Sequence, residues 1–153
     1  KYFSSATEVV GSDGKRFKLD DGYRVSITVG DGAHRGASDP DIFFDGNQYV
    51  LYISHGTAIS VWTSPSLKGN YSHVGDLSDT EGGVPAGYYH QNTGKYWTFS
   101  HITRDGVTVI RRANHSNLDS VLPAQKWIDV ISAPILGLPS TRDTGSPGFT
   151  VSG

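Results

Sequence analysis

The stretch from Ser38 to Gly56, SDPDIFFDGNQYVLYISHG, leaves few options for the chain around it. It reads as two strands of a hairpin, Asp41 to Phe44 and Tyr49 to Ser54. Asp45-Gly46 between them is a strong turn signal, because both positions tolerate positive φ. In the second strand Tyr49, Leu51 and Ile53 share one face, and Val50, Tyr52 and Ser54 share the other. Both faces carry apolar residues, so the hairpin is expected to be covered on both sides, as in sheets stacked face to face.

The pattern continues downstream. Ala58 to Ser64 reads as a third strand, Pro65 to Asn70 as a loop, and Tyr71 to Gly75 as a short fourth strand. Four antiparallel strands in about 40 residues is the unit of a β-propeller blade. After a linker from Asp76 to Gly83, the runs Val84 to His90 and Gly94 to His101 repeat the hairpin theme. Asp105-Gly106 then turns into Val107 to Arg112, and a longer loop leads to Trp127 to Val130. Upstream, Arg16 to Leu19 and Tyr23 to Val29 read as strands, and Gly30 to Ala37 as a glycine-rich linker. Repetition at this period points to a propeller rather than a sandwich.

The two ends extend the repeat. Ser146-Pro147, an apolar strand and Gly153 joined to Lys1-Tyr2-Phe3 match Val84-Pro85, an apolar strand and Gly94-Lys95-Tyr96-Trp97. The expected fold is therefore all-β: a β-propeller of four-stranded antiparallel blades, with about three blades in one domain spanning residues 1–153. The blades cover residues 38–76, 84–131, and a split blade from 145–153 plus 1–30. Three blades are too few to close a ring. Either two chains form a homodimer around one axis, or the sequence is a piece of a larger five-bladed protein.

The composition agrees, since 19 glycines, 7 prolines and 8 tyrosines suit short strands and tight turns. Net charge is −2, which offers no basic footprint for nucleic acid. No apolar run reaches membrane-spanning length, so no membrane partner is expected. There is no cysteine to brace the fold or report a redox compartment. There is no methionine even at position 1, which is expected of a processed product or a fragment; the localisation expected is secreted or periplasmic.

At this point the residues resemble a known group. Asp39-Pro40-Asp41, Asp45-Gly46, Tyr49-Val50-Leu51-Tyr52 and Val61-Trp62-Thr63-Ser64-Pro65-Ser66-Leu67-Lys68-Gly69 are similar to a first blade of the arabinanase and β-xylosidase glycoside hydrolases. These belong to the five-bladed propeller superfamily. The resemblance is strongest over residues 38–76 and looser over 82–130. It implies that Asp39 is the general base, at the start of an innermost strand. The alternative is that Asp39 simply hydrogen-bonds a loop amide. Hydrolysis needs a second carboxyl group, about 6.5–9.5 Å away in inverting enzymes. The family places an aspartate early in the second blade and a glutamate in the third. Here the second blade opens Val84-Pro85-Ala86-Gly87 and the split blade Ser146-Pro147-Gly148, without either. Glu81 and Asp143, just upstream in the linkers, are the substitutes. Asp41 and Asp45 read as strand and turn residues.

Several side chains could bind a sugar. His34, Arg35, His55, Tyr88, Tyr89, His90 and His101 are the candidates. His55 and His101 follow similar strands, so equivalent radial positions are expected for them. Any single one could equally be a solvated strand-end histidine. One of the adjacent Tyr88 and Tyr89 is expected to face the channel. Trp62, Trp97 and Trp127 read as core, and Arg111 and Arg112 as solvated residues on opposite faces of one strand. No local zinc motif is present. No cofactor is expected, although a propeller channel could hold a cation such as calcium. The functional alternatives are a glycoside hydrolase acting on a polysaccharide such as arabinan or xylan, a lectin-like binding propeller, and a structural assembly domain. A homodimer would cover half-ring faces carrying Tyr49, Leu51 and Val61.

Overall fold

A computed structural model describes residues 37–139, apart from 56–57, 68–69 and 79–81. It contains two four-stranded antiparallel sheets, neither closed on itself. Sheet 1 runs β1 (Ala37–Phe44), β2 (Tyr49–His55), β3 (Ala58–Ser64) and β4 (Ser72–Ser78) in that spatial order. Sheet 2 runs β5 (Ala86–His90), β6 (Lys95–Arg104), β7 (Val107–His115) and β8 (Trp127–Ser132). A short 3₁₀ helix, Ala124–Lys126, precedes β8. The chain is thus all-β, with two successive four-stranded meanders where the sequence places them. The expected split unit, 145–153 plus 1–30, lies outside the described residues.

The hairpin at Ser38–Gly56 is longer than alternation suggests. β1 begins at Ala37, because the strand bulges at Asp39-Pro40 and then resumes pairing. Ser38 pairs with Ser54 and Asp41 with Tyr52. A proline has no amide to give a ladder, so a bulge is where a strand can hold one.

The two Asp-Gly turns differ. At Asp105-Gly106 both residues have positive φ, 52° and 77°, and Arg104 pairs directly with Val107. That is the two-residue turn in which both central positions are left-handed. At Asp45-Gly46, where the same turn was expected, only Gly46 is left-handed, at 101°. The loop is four residues long, with Phe44 paired to Tyr49. The Asp45 carboxylate accepts the Asn47 and Gln48 amides, each at 2.9 Å, so the side chain builds the turn instead.

Both faces of β2 are covered, as its pattern requires. Val50 and Tyr52 point to sheet 2 and pack with Ile59, Val61, Leu77 and Leu118. On the other face Leu51 and Ile53 cluster with Trp62 and Tyr71. Leu51 and Val61 are therefore buried within one chain. They do not supply the open face that a partner copy was expected to cover.

The sheets approach most closely along β1 and β5. Gly87 makes this approach feasible: a Cβ there would lie 2.1 Å from the Phe43 ring and 2.7 Å from that of Tyr52. Away from this seam, the segment after β7 fills the gap. Leu118 joins the core, and the Leu122 amide donates to the Leu77 carbonyl at 3.0 Å. Trp127 packs on the same core, with the Arg111 guanidinium 4.2 Å above its ring. Arg111 is buried, which corrects the expectation of a solvated side chain. Arg112, on the opposite face as expected, covers Trp97 at 4.3 Å. Aromatic faces attract guanidinium groups, and burial strengthens the contact.

Candidate functional site

The starts of β1 and β5 carry the same unusual backbone. Asp39 and Val84 each precede a proline, and each has positive φ, 49° and 43°. Residues before proline ordinarily take extended conformations. Positive φ is costly for any residue with a Cβ, most of all for a β-branched one such as valine. The surroundings hold both in place. The Val84 amide donates to the Ser54 hydroxyl at 2.9 Å, crossing between sheets. The Gly83 amide donates to the Ser100 hydroxyl at 3.2 Å, and the Gly83 carbonyl accepts the His101 amide at 3.0 Å. Ser38 Oγ donates to Asp39 Oδ2 at 2.9 Å.

These contacts gather Ser38, Asp39, Ser54, Val84, Ser100 and His101 where β1 and β5 begin. The Asp39 carboxylate is exposed, and His101 is half-buried with its Nδ1 unpaired. An exposed carboxylate, an imidazole and nearby hydroxyls can hydrogen-bond sugar hydroxyls. Hydrolysis would need another carboxyl group, and among the described residues none joins the cluster. Asp41 is committed elsewhere, accepting the Gly87 amide across the sheets at 2.7 Å. Val84 occupies the position that corresponds to Asp39. Among the described residues no group of acidic and histidine side chains is arranged to hold a metal ion.

Backbone register separates two histidines that similar sequences had aligned. His101 pairs at Gly83, which corresponds to Ser38, and Ser38 pairs with Ser54. His55 is one residue further along its strand, opposite Ala37. It therefore corresponds to Ile102 rather than to His101. Of the other candidates, His34, Arg35, Glu81 and Asp143 lie outside the described residues, as does the side chain of His55.

Tyr88, Tyr89 and His90 end β5, away from Val84 by roughly 20 Å of extended chain. Both tyrosines are half-buried. The Tyr89 ring lies 4.9 Å from that of Tyr96, and Tyr88 meets His90 edge-on. His90 Nδ1 and the Thr93 hydroxyl are 2.9 Å apart in the turn. These residues therefore form a second group and do not join Asp39 in one site.

That second end contains cross-sheet bonds which alternation could not reveal. The Tyr96 hydroxyl donates to Asp45 Oδ2 at 2.7 Å. Burial raises the pKa of Asp45, but the bonds from Asn47, Tyr96 and Gln48 outweigh it and hold the group below its ordinary 3.8. Burial, and then the Asp45 carboxylate, push Tyr96 well up. Tyr52 Oη lies 3.0 Å from Thr98 Oγ1, which is 2.7 Å from His115 Nε2. His115 Nδ1 is 2.7 Å from the Asn117 carbonyl, which can only accept. The proton is therefore on Nδ1. Nε2 accepts from Thr98, and Thr98 in turn accepts from Tyr52.

Neither a family model, nor a curated protein, nor a solved structure matches this sequence.

Proposed function

We propose that the chain is a glycoside hydrolase-like β-propeller that binds a polysaccharide such as arabinan or xylan through the cluster around Asp39. The two sheets are then neighbouring blades, with β1 and β5 as their innermost strands. The observation behind this is the repeated left-handed residue before proline, Asp39 and Val84, at the start of successive meanders. Costly backbone held at equivalent places fits a binding site at that end. Valine at the second of these places favours binding over turnover, which makes the lectin-like form the better supported one. Hydrolysis remains the second reading, with Asp39 as base and Glu81 or Asp143 as acid.

Titration calorimetry with arabinan and xylan oligosaccharides, alongside assays of product release, tests this. Asp39→Asn is expected to weaken binding about tenfold, the effect of losing charge-assisted bonds to hydroxyls. Its unfolding midpoint should not move, because Asp39 is exposed. Unchanged affinity in that variant would remove Asp39 from the site, and turnover surviving in it would end the role of base. Absence of both binding and turnover would favour a structural assembly domain.

The same reading makes the working form a homodimer, secreted or periplasmic, with two half-rings around one axis. Ile128, Ile131, Ile135, Leu136 and Leu138, along β8 and the turn after it, are exposed and supply apolar surface for the contact. Light scattering at low micromolar concentration should give twice 16.5 kDa. A folded particle of 16.5 kDa would end the half-ring idea.

A further inference from the structure

At the end of the sheets opposite Asp39, a groove of about 460 Å³ lies between the start of β6, the end of β7 and the segment that follows. Its walls include Lys95, Asn114, His115, Ser116, Asn117 and Lys126. Among the described residues no aspartate or glutamate lines it, although the chain as a whole is acidic. Among the described residues neither lysine is paired with a carboxylate. Lys95 Nζ donates to the Ser116 hydroxyl, which fixes the ammonium at the wall and leaves it two further protons to donate. Lys126 is close enough for its charge to disfavour protonation of His115. His115 is buried at the groove wall with both ring nitrogens occupied, so it adds no proton acceptor for the ligand to satisfy.

We propose that this groove is an oxyanion site that takes the carboxylate of an acidic saccharide, with Lys95 and Lys126 as the charged donors. Two ammonium groups that meet no anion among the described residues are a complement for one supplied from outside. Asn114, Ser116 and Ser120 offer amide and hydroxyl groups to a sugar ring beside it. The volume falls in the range of small-molecule sites. The saccharide part rests on the proposed carbohydrate-binding function, whereas the oxyanion part does not.

The probes are galacturonate, galactose and inorganic sulfate, followed by amide chemical shifts of the folded chain. Galacturonate is expected to give saturable shifts at Lys95 and between Asn114 and Lys126, and galactose none. The Lys95→Gln, Lys126→Gln double variant should weaken galacturonate at least about tenfold. Lys126→Gln alone, at an exposed position, provides a variant whose fold is not at risk and should show part of that loss. No shift with either galacturonate or sulfate, equal binding of galactose, or binding that survives in the double variant would overturn the proposal. Sulfate binding without galacturonate binding would overturn the saccharide assignment. Neutral xylan oligosaccharides should instead shift Ser38 to Asp41 and Gly83 to Val84, unaffected by the lysine variants. Failure there, with the groove shifts intact, would count against the proposed function alone.

Discussion

Gly87→Ala is expected to destabilise the chain by about 3 kcal/mol, at the upper end of overpacking effects. The new methyl group would be placed 2.1 Å from Phe43 Cε1 and 2.7 Å from Tyr52 Cε2. Neither ring has an easy retreat. They contact each other edge-to-face at a centroid distance of 5.2 Å, and Tyr52 is fully buried and anchored by Thr98. Relief must come from β1 and β5 moving apart. That would also stretch the bond from the Gly87 amide to Asp41. Denaturant unfolding measures the loss. Phe43→Ala removes the nearest obstacle, so the double variant should be less destabilised than the sum of the singles by at least about 1 kcal/mol. Gly83→Ala, whose Cβ would meet nothing closer than 3.6 Å, is the control and should cost little. Additive behaviour of Gly87→Ala and Phe43→Ala would show that the close approach of these strands is not what Gly87 permits.

The strands between Ala37 and Ser132 were legible because each is governed by local chemistry. Alternation placed Leu51 and Val50 on opposite faces of β2, and both are buried there. Glycine-containing turns marked strand ends at Gly46 and Gly106, both of which have positive φ. What alternation cannot encode is how one sheet registers against the next. The Asp41 carboxylate looked like an ordinary strand residue, yet it caps an amide 46 positions away. Asp45 read correctly as a turn residue, but its second oxygen also receives the hydroxyl of Tyr96, 51 positions on. Arg111 looked solvated because a charged residue in an alternating strand usually is. Trp127, arriving from β8, gives the buried guanidinium an aromatic face to lie against.

The candidate site was less legible for the same reason. Proline at positions 40 and 85 signalled strand starts, but nothing in a sequence shows that the residue before each is left-handed. Resemblance between the strands ending at His55 and His101 suggested equivalent depths. A one-residue offset in register is enough to defeat that, since neighbours on a strand point to opposite faces. Tyr88, Tyr89 and His90 end the strand that begins just after Val84, and a strand carries its two ends far apart however near they are in sequence. The lysine groove had no linear signal, because Lys95 and Lys126 belong to different strands' approaches and meet only through the segment after β7.

Thr98→Val should cost about 3 kcal/mol, because it strands two buried groups at once. Thr98 Oγ1 receives the Tyr52 hydroxyl and donates to His115 Nε2, and valine keeps the shape while doing neither. Thr98→Ser keeps the hydroxyl and should recover most of the loss. The same relay makes stability depend on pH. Burial lowers the pKa of His115; the Asn117 carbonyl opposes this and the Lys126 ammonium adds to it. A protonated ring would have donors on both nitrogens. Thr98 would then have to accept from Nε2, and of the two buried hydroxyl protons, those of Thr98 and Tyr52, only one could still be used within the relay. An unfolded chain takes up this proton near the ordinary imidazole value of about 6.5, whereas the folded chain does so at lower pH. The unfolded state therefore binds more protons in that window, and stability must fall as pH drops from about 6.5 through the folded pKa. Above about 6.5 this contribution is complete and flat. Imidazole carbon shifts of folded His115, followed with pH, report the site directly. A His115 ring that titrates above 6.5 in the folded chain would mean that the relay runs the other way.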